Sequence, residues 1–368
     1  MTSIGFTGDI AFSKYFKDRY NEPDLLDPLI EQYLRTCDHV VANVEGPVYR
    51  CDPAGFKTLV HASDPDARLW LKNLGADIWN LCNNHIADCF ADGLAGTLAC
   101  AAENGSVCLG AVLDKTSVAQ PYYLPEEDGI GFVSCCYDSR MTHRAKESVG
   151  ILLWSDEDEV RRQIETVKER ARWCIVVAHG GNEFTDLPEP WNRDRYLRYL
   201  EYGADIVVAH HPHVVQNYET IDGKVIFYSL GNFVFDTDYQ RDHAHTELGQ
   251  LLRVHIDGDR FTWDGMSVRI DRTHHRIETS EPHPIFRNIP VQSYERLWPV
   301  AARSALAAQN KIELYEDREK FATYTPEEWL AFDEAHPTYK MLLADSRIDT
   351  LEELTEEESS LVPYLREY

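Results

Sequence analysis

Up to about residue 275 the chain alternates short apolar runs with segments whose apolar residues recur at helical spacing. That alternation predicts an α/β fold. Strands are expected near 3–9, 39–44, 77–81, 130–136, 173–178, 205–209, 224–230, 248–256 and 261–270, and helices near 25–35, 65–74, 93–103, 156–171 and 191–202. No helical pattern separates the last three long strands, which predicts antiparallel pairing among them and a mixed sheet, or two packed sheets with helices outside. After Pro282 and Pro284 the pattern becomes helical throughout, rich in Trp, Tyr, Leu and Glu, over 293–308, 313–322, 326–335 and 350–358. Thr325-Pro326-Glu327-Glu328 is a strong helix start, with a capping hydroxyl, Pro at the first helical position and acids in the first turn. The expected organisation is a main domain at 1–280 and a helical, acidic extension at 281–368.

Composition narrows the partners. With 368 residues, 43% of them hydrophobic, the chain can fill a large core. No apolar run approaches the roughly 20 residues of a membrane helix, and the opening Met-Thr-Ser-Ile-Gly-Phe-Thr-Gly-Asp has neither a basic region nor an apolar signal segment. A cytoplasmic protein without a membrane partner is the expectation. Nine cysteines form no Cys-x-x-Cys pair and read as free core thiols of a reducing compartment. A net charge of −26 disfavours nucleic acid and anionic membranes, since phosphate is repelled over most of the surface. Residues 311–368 hold 16 acidic and 6 basic side chains, read as solvated helix faces.

Against that background, the polar residues at the strand ends stand out. Asp9, Glu45, Asn84-His85, His179, and His211 with His213 lie at or just beyond the ends of five expected strands. Distant parts of one chain assemble a metal site in this way. In His211-Pro212-His213, proline favours an extended preceding residue, and residues two apart in an extended chain point the same way, toward one cation. Asn84 and His85 are adjacent in a turn, so the Asn carbonyl can bind metal while the imidazole faces substrate; Asp88 is spaced to fix the His85 tautomer. Asp9 and Glu45 add hard oxygen ligands. Other templates are missing: no GxxxxGK[ST] loop, no GxGxxG after the first strand and no HExxH, which leaves no organic cofactor expected. Cys82, near His85, reads as a buried thiol.

Taken in order, Gly8-Asp9, Asn43-Val44-Glu45-Gly46-Pro47, Asn83-Asn84-His85-Ile86-Ala87-Asp88, His179-Gly180-Gly181-Asn182-Glu183, His211-Pro212-His213-Val214-Val215-Gln216 and Tyr228-Ser229-Leu230-Gly231-Asn232-Phe233 resemble the CapA family. That family is named for poly-γ-glutamate capsule assembly and is related to the calcineurin-like metallophosphoesterases. The resemblance implies a four-layer αββα sandwich with two mixed sheets and a metal cleft at the strand ends. It implies Asp9, Glu45, Asn84, His179, His211 and His213 as metal ligands and His85 as acid/base residue. Two positions depart from the phosphoesterases: Asp9-Ile10-Ala11 replaces Asp-x-His, and Glu45 replaces the bridging Asp.

Absence of an anchor segment and the C-terminal extension make the chain similar to the branch that includes the epimerase of lasso-peptide precursors. The expected function is therefore inversion of a Cα, at a C-terminal residue, in a ribosomal precursor peptide. His85 with Asp88 is the first acid–base pair; the second joins one of His179, His211 or His213 to Asp9 or another carboxylate, with His213 and Asp9 as first choice. Glu183, Trp298 and Trp329 are expected to contact substrate, although the aromatics equally suit burial of the extension's helices. Calcium, manganese, zinc and iron all suit such ligands. The rival functions are a metal-dependent phosphoesterase and a non-catalytic subunit of a polymer assembly complex.

Overall fold

A computed structural model describes residues 1–51, 60–125, 129–138, 142, 145, 147–308, 325, 345, 347 and 351–365. Its strands are β1 (Thr2–Ile10), β2 (His39–Val44), β3 (Ile78–Asn80), β4 (Val107–Leu109), β5 (Ala111–Val112), β6 (Tyr122–Tyr123), β7 (Ile130–Cys136) and β8 (Gly150–Ile151). They continue with β9 (Trp173–His179), β10 (Ile206–His210), β11 (Tyr218–Ile221), β12 (Lys224–Phe227), β13 (Asn232–Val234), β14 (Leu248–Asp257), β15 (Arg260–Asp271) and β16 (Arg276–Thr279). The helices are α1 (Pro28–Arg35), α2 (Ala67–Leu74), α3 (Phe90–Asn104), α4 (Glu157–Arg170), α5 (Pro190–Tyr202), α6 (Asp238–Arg241), α7 (Val291–Ala308) and α8 (Glu356–Leu361).

Two mixed sheets result. One runs β16-β15-β14-β1-β2-β3-β4, with β13 also paired to β1; the other runs β11-β12-β10-β9-β7-β6. Alternation along each strand sends one set of side chains between the sheets and the other toward helices. Ile4 and Phe6 of β1, Val41 of β2 and Val254 of β14 meet Phe132, Ile175, Val177 and Val208 of the second sheet in a shared core. On the outer face of the first sheet, Val40 and Ala42 pack with Ile30 and Leu34 of α1, Leu71 of α2 and Leu94 of α3. On the outer face of the second, Val176 and Val207 pack with Ile164 of α4 and Tyr199 of α5. Helix, sheet, sheet, helix is the four-layer αββα arrangement that the resemblance implied.

The chain departs from expectation where period-2 patterning says nothing about which sheet a strand joins. The strand read over 224–230 ends at Phe227: β12 lies parallel to β10 in the second sheet, and after Leu230 the chain crosses to the first, where β13 pairs in parallel with β1. A short helix, α6, then precedes β14, so antiparallel pairing among the last long strands holds for β14 with β15 but not for β12. Of the extension, α7 begins at Val291 and packs through Leu297, Trp298 and Ala301 with Leu187, Ile285, Leu361 and Leu365. The helices expected over 313–322 and 326–335 lie outside the described residues, and the last expected helix begins at Glu356 rather than 350, capped by Thr355. Among the described residues no helix is long and apolar enough to cross a membrane.

Candidate metal centre

The parallel strands of both sheets end on the same side of the molecule, and their last residues supply the site. In β1 the pairing with β2 shifts register between Phe6 and Asp9, and Asp9 is fully buried. A bulge of this kind re-aims a side chain at a strand end. Gly8 beside it lies so close to the Gly231 carbonyl that an added Cβ would stand 2.3 Å from that oxygen. Glu45 follows β2 directly. His179 ends β9 and is paired in register with His210, the last residue of β10, which carries the chain into His211 and His213. The centre thus lies where the first sheet's acids face the second sheet's imidazoles.

Three overlapping sets, Glu45 with His179 and His211, Glu183 with His211 and His213, and Asp9 with Glu45 and His213, each place their ligand atoms within 4.8 Å of one another. Glu45 Oε1 is 3.7 Å from His179 Nε2 and 3.8 Å from His213 Nε2. His179 Nε2 is also 2.8 Å from Asn84 Oδ1. Both Glu45 oxygens, Asp9 Oδ2 and His211 Nδ1 are buried without an aligned hydrogen-bond partner. An unpaired buried polar atom costs about 1–3 kcal/mol, more when charged, so several in one place are an unbalanced constellation for a protein alone. A divalent cation balances it: carboxylate oxygen, amide oxygen and imidazole nitrogen are its usual donors. The residues present therefore fit a metal, which Glu45, Asn84, His179 and His211 could hold; Asp9 and His213, within reach beside Glu45, could either join them or pair with each other.

Electrostatics suit His179 and His211 to that role and set His213 apart. Burial, with Asp9 beside it, pushes the Glu45 carboxyl well above the usual carboxylate range. Burial and the surrounding imidazoles hold His179 and His211 well below the usual histidine range, which keeps them neutral as nitrogen ligands must be. For His213 burial works the same way, but Glu45 and Asp9 outweigh it and push the imidazole up to about 10.

A chain of amides holds the acid in place. Ser134 donates to Asn80 Oδ1 at 2.6 Å, Asn80 to Asn43 Oδ1 at 2.8 Å, and Asn43 to Asp9 Oδ1 at 2.7 Å. This relay spans from β7 in one sheet to β1 in the other and leaves Asp9 Oδ2 to face the centre. There His213 Nδ1 stands 3.0 Å from Asp9 Oδ2 and 3.0 Å from Asn232 Oδ1, on which its N–H is aligned. Such outer partners fix ligand orientation as much as the ligands themselves.

Beside the centre opens a cavity of about 150 Å³ whose wall includes Asn84, His85, Glu183 and His213. His85 Nδ1 is 2.8 Å from Asp88 Oδ2, the pair expected from their spacing. The same carboxylate oxygen accepts the main-chain N–H of His61 at 2.7 Å. His61, absent from the sequence reading, sets its ring edge-on to His85 with centroids 4.3 Å apart.

Two expectations need correction. His211 and His213 do not sit on an extended segment: their φ angles are +100° and +58°, in the left-handed region. Both rings still reach the cluster, 5.8 Å apart, because a strained backbone, of a kind that concentrates at functional sites, aims them there. Trp298 is 1% exposed within the extension's apolar cluster and donates its indole N–H to Asp345 Oδ2, so it packs the extension and offers no face to a substrate. Trp329 lies outside the described residues. Of the positions missed, Asn43 and Asn80 carried a faint signal as strand-disfavoured residues ending apolar strands. His61 carried none.

Among relatives, the chain is 29% identical over 260 residues to the PGA biosynthesis protein CapA of Bacillus subtilis (strain 168), covering 69% of this chain and 67% of the relative. It is 28% identical over 296 residues to the capsule biosynthesis protein CapA of Bacillus anthracis, covering 77% and 69%. Among solved structures it is similar to a 5'-nucleotidase from Candida albicans SC5314, with a TM-score of 0.41, 12% identity and coverage of 72% of this chain and 50% of that one. Residues 3–237, well over half of the chain, match the model of the bacterial capsule synthesis protein family PGA_cap, and the protein belongs to that family.

Proposed function

We propose that the protein is a metal-dependent peptide epimerase that inverts one Cα of a ribosomal precursor peptide. One observation carries the reading: two His–Asp pairs, His85 with Asp88 and His213 with Asp9, open on a single cavity. Inversion needs a base on one face of the carbon and an acid on the other. With Nδ1–H of His85 held by Asp88, its Nε2 is the nitrogen left to take a proton. One imidazole removes the Cα proton, the electron pair delocalises onto the adjoining carbonyl oxygen, and the other imidazole returns a proton to the opposite face. A divalent cation, when bound, supplies positive charge for that oxygen as it becomes enolate-like. Glu183 lines the cavity, which supports a contact between it and the peptide's amides.

In heavy water the metal-loaded enzyme should place deuterium at one Cα of its precursor, with the chain uncleaved and no pyridoxal phosphate or S-adenosylmethionine added. Absence of exchange in every precursor peptide encoded beside the gene would remove the proposal. The acid–histidine cluster also favours a second reading, phosphoester hydrolysis, which a chromogenic phosphodiester tests; Ala11, buried where the phosphoesterase motif has His, counts against it. The relatives' names speak of capsule biosynthesis. An accessory role in polymer assembly predicts turnover in neither assay, and the charge of −26 disfavours a polyanionic polymer as ligand.

A further inference from the structure

His61 is 3% exposed, and its ring lines the same cavity as His85. Nδ1 lies 3.0 Å from Ser13 Oγ, a hydroxyl that is itself buried and has no other side-chain partner among the described residues. That contact decides the tautomer. If Nδ1–H donated to Ser13, the serine proton would be left buried without an acceptor; if Ser13 donates to Nδ1, only lone pairs go unused, which costs less. Nε2 then carries the ring proton. No group among the described residues receives it, and the ring lines the cavity.

The ring cannot easily turn. It stands edge-on to His85 and, with centroids 4.7 Å apart, edge-on to Phe235. Its backbone N–H is tied to Asp88, and its carbonyl abuts Gly46. Burial and the neighbouring His85 hold the imidazole well below the usual histidine range, so it is a neutral donor. A fixed neutral imidazole N–H is suited to an oxygen that gains charge during reaction, since it needs no reorganisation at that moment.

We infer that His61 is a third imidazole of the active cavity, donating from Nε2 to a substrate carbonyl or carboxylate oxygen beside His85. That the oxygen belongs to the carbon being inverted rests on the epimerase reading; the donor and its tautomer do not. His61 complements the His–Asp pairs: they move protons, and its N–H stabilises the charge that develops on the oxygen.

The test uses the full, metal-loaded chain. Long-range ¹H–¹⁵N spectra of wild type and His61→Phe identify the His61 nitrogens, and N-acetyl-dialanine serves as a small peptide-carboxylate probe. The expected result is an Nε2–H tautomer whose signal shifts on titration, with binding weakened roughly tenfold in His61→Phe, which keeps the ring packing and the main-chain bond to Asp88. His61→Gln, which restores an N–H at similar reach, should bind within about threefold of wild type. An Nδ1–H tautomer, no shift on titration, or equal binding by His61→Phe would overturn the inference. With the precursor, His61→Phe should lower kcat about 10²–10³-fold with little change in KM, as loss of one such donor does, and His61→Gln should recover most of it. Wild type that binds the probe through His61 but exchanges no Cα proton would defeat the epimerase reading while leaving the donor site intact.

Discussion

Gly46 turns, at φ +99°, directly against the carbonyl of His61: a Cβ added there would stand 1.8 Å from that oxygen. The contact joins two halves of the site, because Glu45 belongs to the metal cluster and His61 anchors Asp88. Gly46→Ala is therefore expected to strain the left-handed backbone and force the two segments apart. Together these effects should cost about 2–5 kcal/mol. The urea midpoint checks the stability, and elemental analysis should show less bound metal. A variant with unchanged midpoint and metal content would contradict the close approach.

Glu45→Gln keeps the shape of the side chain and removes its charge. In the loaded protein it should lower metal affinity tenfold or more, and chelator should then shift the melting temperature of the variant much less than that of wild type. The metal-free protein should respond in the opposite sense. There a buried carboxyl, its oxygens without an aligned hydrogen-bond partner, is replaced by an amide of the same shape, so its stability should hold or rise. His211→Ala should also lose metal. Full occupancy in both variants would move the site elsewhere.

For His85 and Asp88 the expected losses differ in degree. His85→Ala removes the imidazole that faces the cavity and should slow Cα exchange by about 10²-fold or more. Asp88→Asn leaves the ring in place but gives up the acceptor shared by His85 Nδ1 and the His61 N–H, so the loss should be smaller. Exchange unaffected by His85→Ala would take that residue out of the chemistry.

Much of this cluster could be read from residue order, because its residues sit at or a few positions beyond strand ends and strands are legible from their apolar runs. What could not be read was geometry that depends on tertiary context. The left-handed backbone at His211 and His213 overrides proline's local preference for extension. The end of β12 at Phe227 and the crossing to β13 in the other sheet leave no trace in a period-2 pattern. His61 follows Leu59-Val60 with no motif around it, and only the fold brings it to Asp88. Trp298 shows the reverse failure: an aromatic in an amphipathic helix suits recognition or packing equally, and its burial against the extension's own core decides for packing.

Trp298 should accordingly matter for stability. Its ring lies 6.2 Å from that of Trp191 and 6.5 Å from that of Tyr294, and the Tyr294 hydroxyl donates to the Pro188 carbonyl at 2.7 Å. The cluster thus braces the segment between Glu183 and α5. Trp298→Ala is expected to destabilise the protein by about 3–5 kcal/mol, as deletion of a fully buried aromatic does. Peptide affinity of the fraction that remains folded should be near wild type. A stable variant with specific loss of peptide binding would restore a recognition role for the residue.

His283 gives the extension's junction a dependence on pH. It is 6% exposed, accepts the Ile285 N–H on Nδ1 at 3.2 Å, and has its ring 5.7 Å from that of His245. Burial, then His245, lowers it to about 4. In the unfolded chain it titrates near 6.5, so on acidification the unfolded state takes up the proton first. Its contribution is therefore fully present above about pH 6.5 and is lost as pH falls toward 4, to a limit of about 3 kcal/mol. His283→Asn keeps an acceptor for the Ile285 N–H but cannot titrate. Between pH 7 and 4.5 wild type should lose about 2 kcal/mol more stability than this variant, read from urea midpoints at each pH. Parallel loss in the two proteins would mean that His283 is not held neutral in the fold.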